Sequence, residues 1–263
     1  MSKFLEKPVL LTGASGNLGR YLAKTLAAEG WTLRLSDVAP FPDPLPERAT
    51  FRRCDLADGV EVIRLVEGCG LVLHFGGASH DEVPFEAVAD ANLRGLYYIY
   101  EGARLARARV VFASSNHVTG FHERAETIDA DCRMLPDSLY GVSKAFGELM
   151  GRLYWMKHRV ESVSVRIGSC FPEPSDQRQL SLWLSYPDLA RLMVACGTAE
   201  EVGCKVVWGA SNNSRGFWGK DDRDALGWAP QDSADVYADR VLGKVSGDPV
   251  AEKYQGGVYC ARG

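Results

Sequence analysis

Short apolar runs alternate with amphipathic stretches along most of this chain. Residues 9–11 form a run of buried-strand character, and Leu18, Tyr21, Leu22 and Leu26 then recur at helical spacing until Gly30 stops them. Residues 32–35, 50–54, 71–75, 109–113 and 163–167 repeat the strand signature. A long helical pattern spans 85–106, with Phe85, Ala89, Leu93, Leu96, Tyr100 and Ala103 on one broad face, and another covers about 140–157. Strands and helices in alternation predict an α/β fold, a doubly wound parallel sheet with right-handed crossovers. Beyond Gly168 the rhythm changes. Tyr186-Pro187-Asp188 opens a helix that ends near Cys196, residues 205–208 read as another strand, and 235–245 as a last amphipathic helix. The expected organisation is a nucleotide-binding unit over 1–168 and a small substrate-binding cap over 169–263, the two sharing one core.

The strand ends carry the polar chemistry. The first runs into Thr12-Gly13-Ala14-Ser15-Gly16-Asn17-Leu18-Gly19 and then into a helix, the context that a dinucleotide phosphate site requires. Gly13 permits the turn, Gly16 lets backbone approach a pyrophosphate, and Gly19 lets helix and strand close, while the helix N-terminus offers unpaired N–H groups to the anion. This is the Rossmann-type arrangement, and NAD is the cofactor it suggests. Asp37, at the end of the second strand, suits the adenosine ribose hydroxyls and would repel a 2′-phosphate, which favours NAD over NADP. Asp55 and Leu56 end the third strand as adenine contacts. Phe75, Gly76 and Gly77 end the fourth, where two glycines let a cofactor lie close to the backbone; His74 beside them is expected to face the core. Asn92 interrupts an apolar helix face and must be hydrogen-bonded there. Ser114-Ser115-Asn116-His117 end the fifth strand, in the crevice where such sheets bind ligands.

Tyr140 and Lys144 project from one face of a helix, a turn apart. A free phenol ionises near pH ~10, and a neighbouring ammonium favours the phenolate. A tyrosine so activated can take a proton from an alcohol while a hydride leaves the carbon beneath it. Of 263 residues, 30 are Lys or Arg and 34 are Asp or Glu, with no basic run, which argues against nucleic acid as a partner. Seven dispersed cysteines with no Cys-x-x-Cys pair fit reduced thiols and a cytoplasmic location, and no metal site is expected. No stretch is apolar enough for a signal peptide or a membrane span.

The glycine turn, Ser115 and Tyr140-x-x-x-Lys144 together resemble the short-chain dehydrogenase/reductase superfamily; Thr12 and Asn92-x-x-Gly95 look like its extended, sugar-nucleotide-related branch. Within it, residues 74–79, 114–120 and 166–170, and Arg178 with the stretch 180–185 after it, resemble the uronate dehydrogenase family. The likeness is weaker at 216–223, so contacts from that loop are not carried over. The resemblance implies an oxidoreductase that oxidises a hexuronic acid, glucuronate or galacturonate, at its anomeric carbon to the aldarolactone with NAD. Tyr140 would be the base, Lys144 its pKa-lowering and ribose-binding partner, and Ser115 the group orienting the reacting hydroxyl. Asn17, Leu18 and Asn92 would join the cofactor contacts. Ser79, Ser115, Asn116, His117 and Ser169 would line the sugar site, and Arg178 would bind the carboxylate, for which a planar, always-charged donor is suited. A homo-oligomer paired through the helices from Phe85 and Tyr140 is expected. Two other readings stay open: a nucleotide-sugar epimerase or reductase of the same branch, and a non-catalytic NAD sensor.

Overall fold

A computed structural model describes residues 2–79 and 82–262. Seven parallel strands form one sheet in the order β3-β2-β1-β4-β5-β6-β7. They are β1 (Val9–Thr12), β2 (Leu33–Asp37), β3 (Ala49–Arg53), β4 (Leu71–His74), β5 (Arg109–Ser115), β6 (Ser162–Ile167) and β7 (Cys204–Gly209). Each expected strand is present within two residues of its sequence bounds. The order reverses between β1 and β4, and this is the switch point at which such sheets open a ligand crevice.

Neighbouring strand residues feed opposite faces, as a period of two demands. Leu11, Leu33, Leu35, Leu73, Val111 and Val163 pack on one face with Leu22 and Leu26 of α1 (Asn17–Ala28) and Leu189, Leu192 and Met193 of α7 (Tyr186–Thr198). Leu10, Val72, Val110 and Phe112 pack on the other. There they meet α2 (Gly59–Val66), α4 (Gly95–Ala106) and α5 (Leu139–His158) through Val62, Leu65, Leu96, Ile99, Tyr100 and Tyr154. Every central strand is thus covered on both sides, and each fully buried leucine contributes about 1.5–3 kcal/mol to holding the layers together.

The sequence pattern missed three things. Helix α2 was not expected, although Asp58 caps it by accepting from Glu61 N at 3.1 Å, the start of a capping box. The helix expected over 85–106 is not continuous: α3 (Phe85–Val88) passes through a π-helical turn at Ala89–Arg94 before α4 begins. The helix expected over 235–245 shrinks to a 3-10 turn (Ala234–Tyr237) and the single-turn α8 (Ala238–Val241), which Gly243 at φ 81° follows.

Residues after Gly168 divide in space. Helix α7 and strand β7 extend the wound sheet, whereas α6 (Gln179–Leu182), α8 and α9 (Pro249–Lys253) lie among the loops outside it. Buried Asp188 of α7 fastens the first of those loops, accepting from Ser211 Oγ (2.6 Å), Gln231 N (2.8 Å) and Asp232 N (3.0 Å). Among the described residues no helix is long and apolar enough to cross a membrane.

Candidate active site

The glycine turn does what its spacing requires. Gly13 adopts φ +68°, and a Cβ there would stand 2.6 Å from the carbonyl carbon of Phe75, so only glycine lets β1 and β4 open side by side. A Cβ on Gly19 would meet Gly13 O at 2.1 Å, which explains how closely α1 sits on the turn. Around Gly16, by contrast, the nearest atom to such a Cβ is 3.5 Å away, and no side chain caps α1. The first N–H groups of α1 therefore face the cleft, where a phosphate is the natural partner. Asp37 is fixed at the head of the cleft, accepting from Ser15 N (3.0 Å) and Ala39 N (3.1 Å). Thr12 Oγ1 accepts from Gly76 N at 3.1 Å and pairs with His74 Nδ1 at 2.8 Å. His74 is buried, as expected, and burial beside Lys144 lowers its pKa to about 3, so it is neutral.

Tyr140 and Lys144 lie at the start of α5, whose N-cap Ser138 accepts from Gly141 N at 3.1 Å. Lys144 Nζ donates to Ala113 O at 2.8 Å and stands 5.4 Å from the Tyr140 ring centre. In the protein alone, burial dominates both groups. Burial pushes the phenol up to about 12, against a hydrogen bond with Ser115 that pulls it down, and burial pushes the Lys144 ammonium down to about 8. Desolvation penalises both charged forms. Moving the phenol by that much corresponds to about 3 kcal/mol against the phenolate.

The far end of the cleft is built on Arg178. Its Nε donates to Gln255 O at 2.6 Å, and its Nη2 donates at 3.0 Å to the Asn116 oxygen once that amide is oriented so that its nitrogen donates to Ile167 O. Among the described residues no carboxylate lies within ion-pair distance of Arg178, and burial brings its pKa down to about 10. His117 pairs through Nδ1 with the buried Asp137 at 2.7 Å, stacks on Tyr259 at 3.9 Å between ring centres, and presents its edge toward Tyr140. Ser169 is held by its backbone between Leu182 and Leu184.

These groups line one continuous cleft of about 990 Å³. At its nucleotide end are Gly13, Gly16, Asn17, Leu18, Gly19 and Asp37, with Asp55, Leu56, Phe75, Gly76 and Gly77 along the wall; Ser79, Ser115, Asn116, His117, Tyr140, Lys144, Ser169 and Arg178 complete it. Asn92 does not line the cleft. It lies behind the wall, in the π-helical turn, bonded to Ala78 and Ser143. Gly256, Val258 and Tyr259 were missed. They belong to a 3-10 segment near the C-terminus with no apolar period; its doubled glycine was the available signal, since Cβ atoms on Gly256 and Gly257 would strike Asp137 (2.0 Å) and Arg178 (2.8 Å).

A parallel sheet with a glycine turn at its switch point and a Ser–Tyr–Lys group across the crevice defines a nucleotide-dependent oxidoreductase fold. Residues 9–215 match the NAD dependent epimerase/dehydratase family, and the chain belongs to it. Among its relatives, the uronate dehydrogenase of Pseudomonas syringae pv. tomato is 45% identical over 258 residues, 97% of this chain and 94% of that protein. The uronate dehydrogenase of Agrobacterium fabrum is 43% identical over 232 residues, 88% of this chain and 87% of the relative. The crystal structure of uronate dehydrogenase from Agrobacterium tumefaciens matches with a TM-score of 0.92 at 42% identity, covering 98% of this chain and 97% of that one. A tyrosine-to-alanine mutant of that enzyme, complexed with NAD, matches with a TM-score of 0.92 at 41% identity and covers 98% of each chain.

Proposed function

We propose that this protein oxidises a hexuronic acid, glucuronate or galacturonate, at its anomeric carbon to the aldarolactone, with NAD as oxidant. The residues present fit the cofactor: the uncapped start of α1 suits its pyrophosphate, Asp37 its adenosine ribose, and Lys144 its nicotinamide ribose. NAD held there would supply the hydride acceptor and a positive charge that favours the phenolate. Tyr140 Oη takes the proton of the anomeric hydroxyl, Ser115 holds that hydroxyl in line, and Lys144 stabilises the phenolate electrostatically. As the proton goes to Tyr140, the hydride leaves the anomeric carbon and a lactone carbonyl forms; Ser79, Asn116, His117 and Ser169 orient the ring.

Arg178 is the observation that carries the substrate class. A guanidinium at the end of the cleft, desolvated and without a carboxylate partner among the described residues, is a site for an anion from outside. A uronate supplies one and a neutral hexose does not. The test is absorbance at the reduced-nicotinamide band with NAD and galacturonate, glucuronate, galactose or glucose. NADH is expected from the two uronates only. Silence with the uronates from protein that binds NAD would overturn the assignment; a nucleotide-sugar epimerase would alter its sugar without net NADH.

The same reading includes a homo-oligomer. Val142, Leu149, Leu153 and Met156 form one exposed stripe along α5, beside exposed Tyr97 and Leu105 of α4. Such a stripe is self-complementary about a twofold axis, which suits a second copy of the chain. The seven free thiols suit a reducing, cytoplasmic setting.

A further inference from the structure

Asp137 stands in the loop before α5, and its carboxylate is fully buried. Oδ1 accepts from Ser138 Oγ at 2.9 Å, and Oδ2 pairs with His117 Nδ1 at 2.7 Å. Two glycines make room for it. A Cβ on Gly120 would stand 1.8 Å from Oδ2 and one on Gly256 2.0 Å, although both have ordinary helical backbone (φ −59° and −68°) that any residue adopts. Among the described residues no lysine or arginine lies within ion-pair distance of this carboxylate. Its charge also opposes the phenolate of Tyr140. A buried carboxylate that works against the base beside it, and is given room by two glycines, has its use in what it holds, which is His117.

The His117 ring is fixed from several sides. Asp137 takes Nδ1, Tyr259 stacks on one face with ring centres 3.9 Å apart, and the residue's own backbone N and O are tied to Ser115 Oγ (3.2 Å) and Asp137 N (3.3 Å). An ionised carboxylate only accepts, so Nδ1 carries the proton and Nε2 of the neutral ring is an acceptor. His117 lines the cleft. The neighbouring Asn116 amide is spent on Ile167 O and Arg178 Nη2, and Arg178 itself only donates. An imidazole acceptor complements them where a sugar hydroxyl has a hydrogen to give. We propose that Asp137 is a positioning residue for the substrate: it holds His117 as the Nδ1–H tautomer, with Nε2 accepting a hydrogen bond from a ring hydroxyl of the uronate. This rests on the function proposed above and adds to it which partner donates in that contact.

Asp137→Asn keeps the shape and removes the charge. The amide oxygen stays on the Ser138 hydroxyl, whose Oγ already accepts from Gly141 N, and the NH2 turns to Nδ1, so His117 becomes the Nε2–H tautomer. This variant is expected to raise the uronate KM about tenfold while the NAD Kd and kcat stay within about twofold. An effect through the base would run the other way, since losing the Asp137 charge eases ionisation of Tyr140. Long-range proton–nitrogen correlation spectra at pH ~8.5, above the ordinary imidazole range, read the tautomer directly, with His117→Gln to assign the signal. They should show Nδ1–H in the wild type and Nε2–H in Asp137→Asn, and the wild-type Nε2 signal should move when galacturonate is added to the protein with NADH. In a His117→Ala background Asp137→Asn should raise KM no further. An Nε2–H or doubly protonated His117 in the wild type would overturn the inference, as would an unchanged KM in Asp137→Asn or a double variant whose loss is the product of the single ones. Should Asp137→Asn fail to fold, the wild-type spectrum and its response to galacturonate decide the matter alone. Wild-type protein inert toward uronates would sink the function and this role together; active wild type with the wrong tautomer sinks only the inference.

Discussion

Burial moves the Tyr140 and Lys144 pKa values apart from their ordinary ones in opposite directions, up for the phenol and down for the ammonium, and this has a kinetic signature. In the proposed mechanism the active form needs the phenolate, whose pKa is about 12, together with the ammonium, whose pKa is about 8. Below about pH 8 the fraction in that form grows tenfold per unit; above it, loss of the ammonium cancels the gain. The logarithm of kcat/KM for NAD, which reports the free protein, should therefore climb with unit slope and level off near pH 8. A plateau already present at pH ~6 would mean that the free site holds a phenolate. Tyr140→Phe should lower kcat by about 10²–10⁴-fold without weakening NAD, as measured by NADH formation and by calorimetry. Arg178→Ala should raise the uronate KM about tenfold to a hundredfold and leave NAD affinity alone, the loss of a charge-assisted pair. That Tyr140 and Lys144 come to one cleft was legible because they stand at a helix start beside strand ends, whereas Arg178 sits in an irregular stretch and was singled out only by the resemblance. Their pKa values were not legible, because they are set first by burial, which only the folded chain produces, and then by charged or polar neighbours such as Tyr259, more than a hundred residues away in sequence.

Helix α5 is held against the sheet by more than apolar contact. Glu148 accepts from Arg166 Nε (2.9 Å) and Nη2 (2.8 Å), and Ser114 Oγ donates to it at 2.7 Å, all three being buried. One turn of α5 after Lys144 is thereby fixed to β5 and β6. Glu148→Gln leaves the guanidinium buried without its counter-charge and should cost about 3–5 kcal/mol of folding stability, read from denaturant midpoints. Neither partner was singled out from the sequence, since a charged residue on a helix ordinarily faces water. The π turn escaped for a related reason: Leu96, Tyr100 and Ala103 keep their spacing on both readings, and the extra residue per turn shows only in which way Asn92 points. Most strands were easier to read than helices because β1, β4 and β5 are short apolar runs between glycines or polar stops. Helix 235–245 failed because its apolar period is real but only Val241 and the preceding turn find a core.

On the scale of the molecule, the winding of the sheet was legible up to β6, where strand and helix alternate strictly. The last third was less so, because its loops are organised by buried polar hubs such as Asp188 and Gln255, which leave no period in a sequence. The exposed stripe on α5 predicts assembly. Sedimentation velocity should show more than a monomer, and Leu149→Glu with Leu153→Glu should dissociate it; a monomeric wild type would remove the proposal. One internal contact offers a view of the cleft from outside. Trp208 of β7 and Trp218 lie parallel, 4.6 Å apart and 10° from coplanar, and Trp218 Nε1 donates to Gln255 Oε1 at 3.2 Å. Indoles that close share their excited states, so their coupled ultraviolet dichroism works as a lamp wired to the residue whose carbonyl holds Arg178. Dimming of that signal on warming, ahead of the helical bands, would time the release of the Arg178 end of the cleft while the sheet beneath it stays folded.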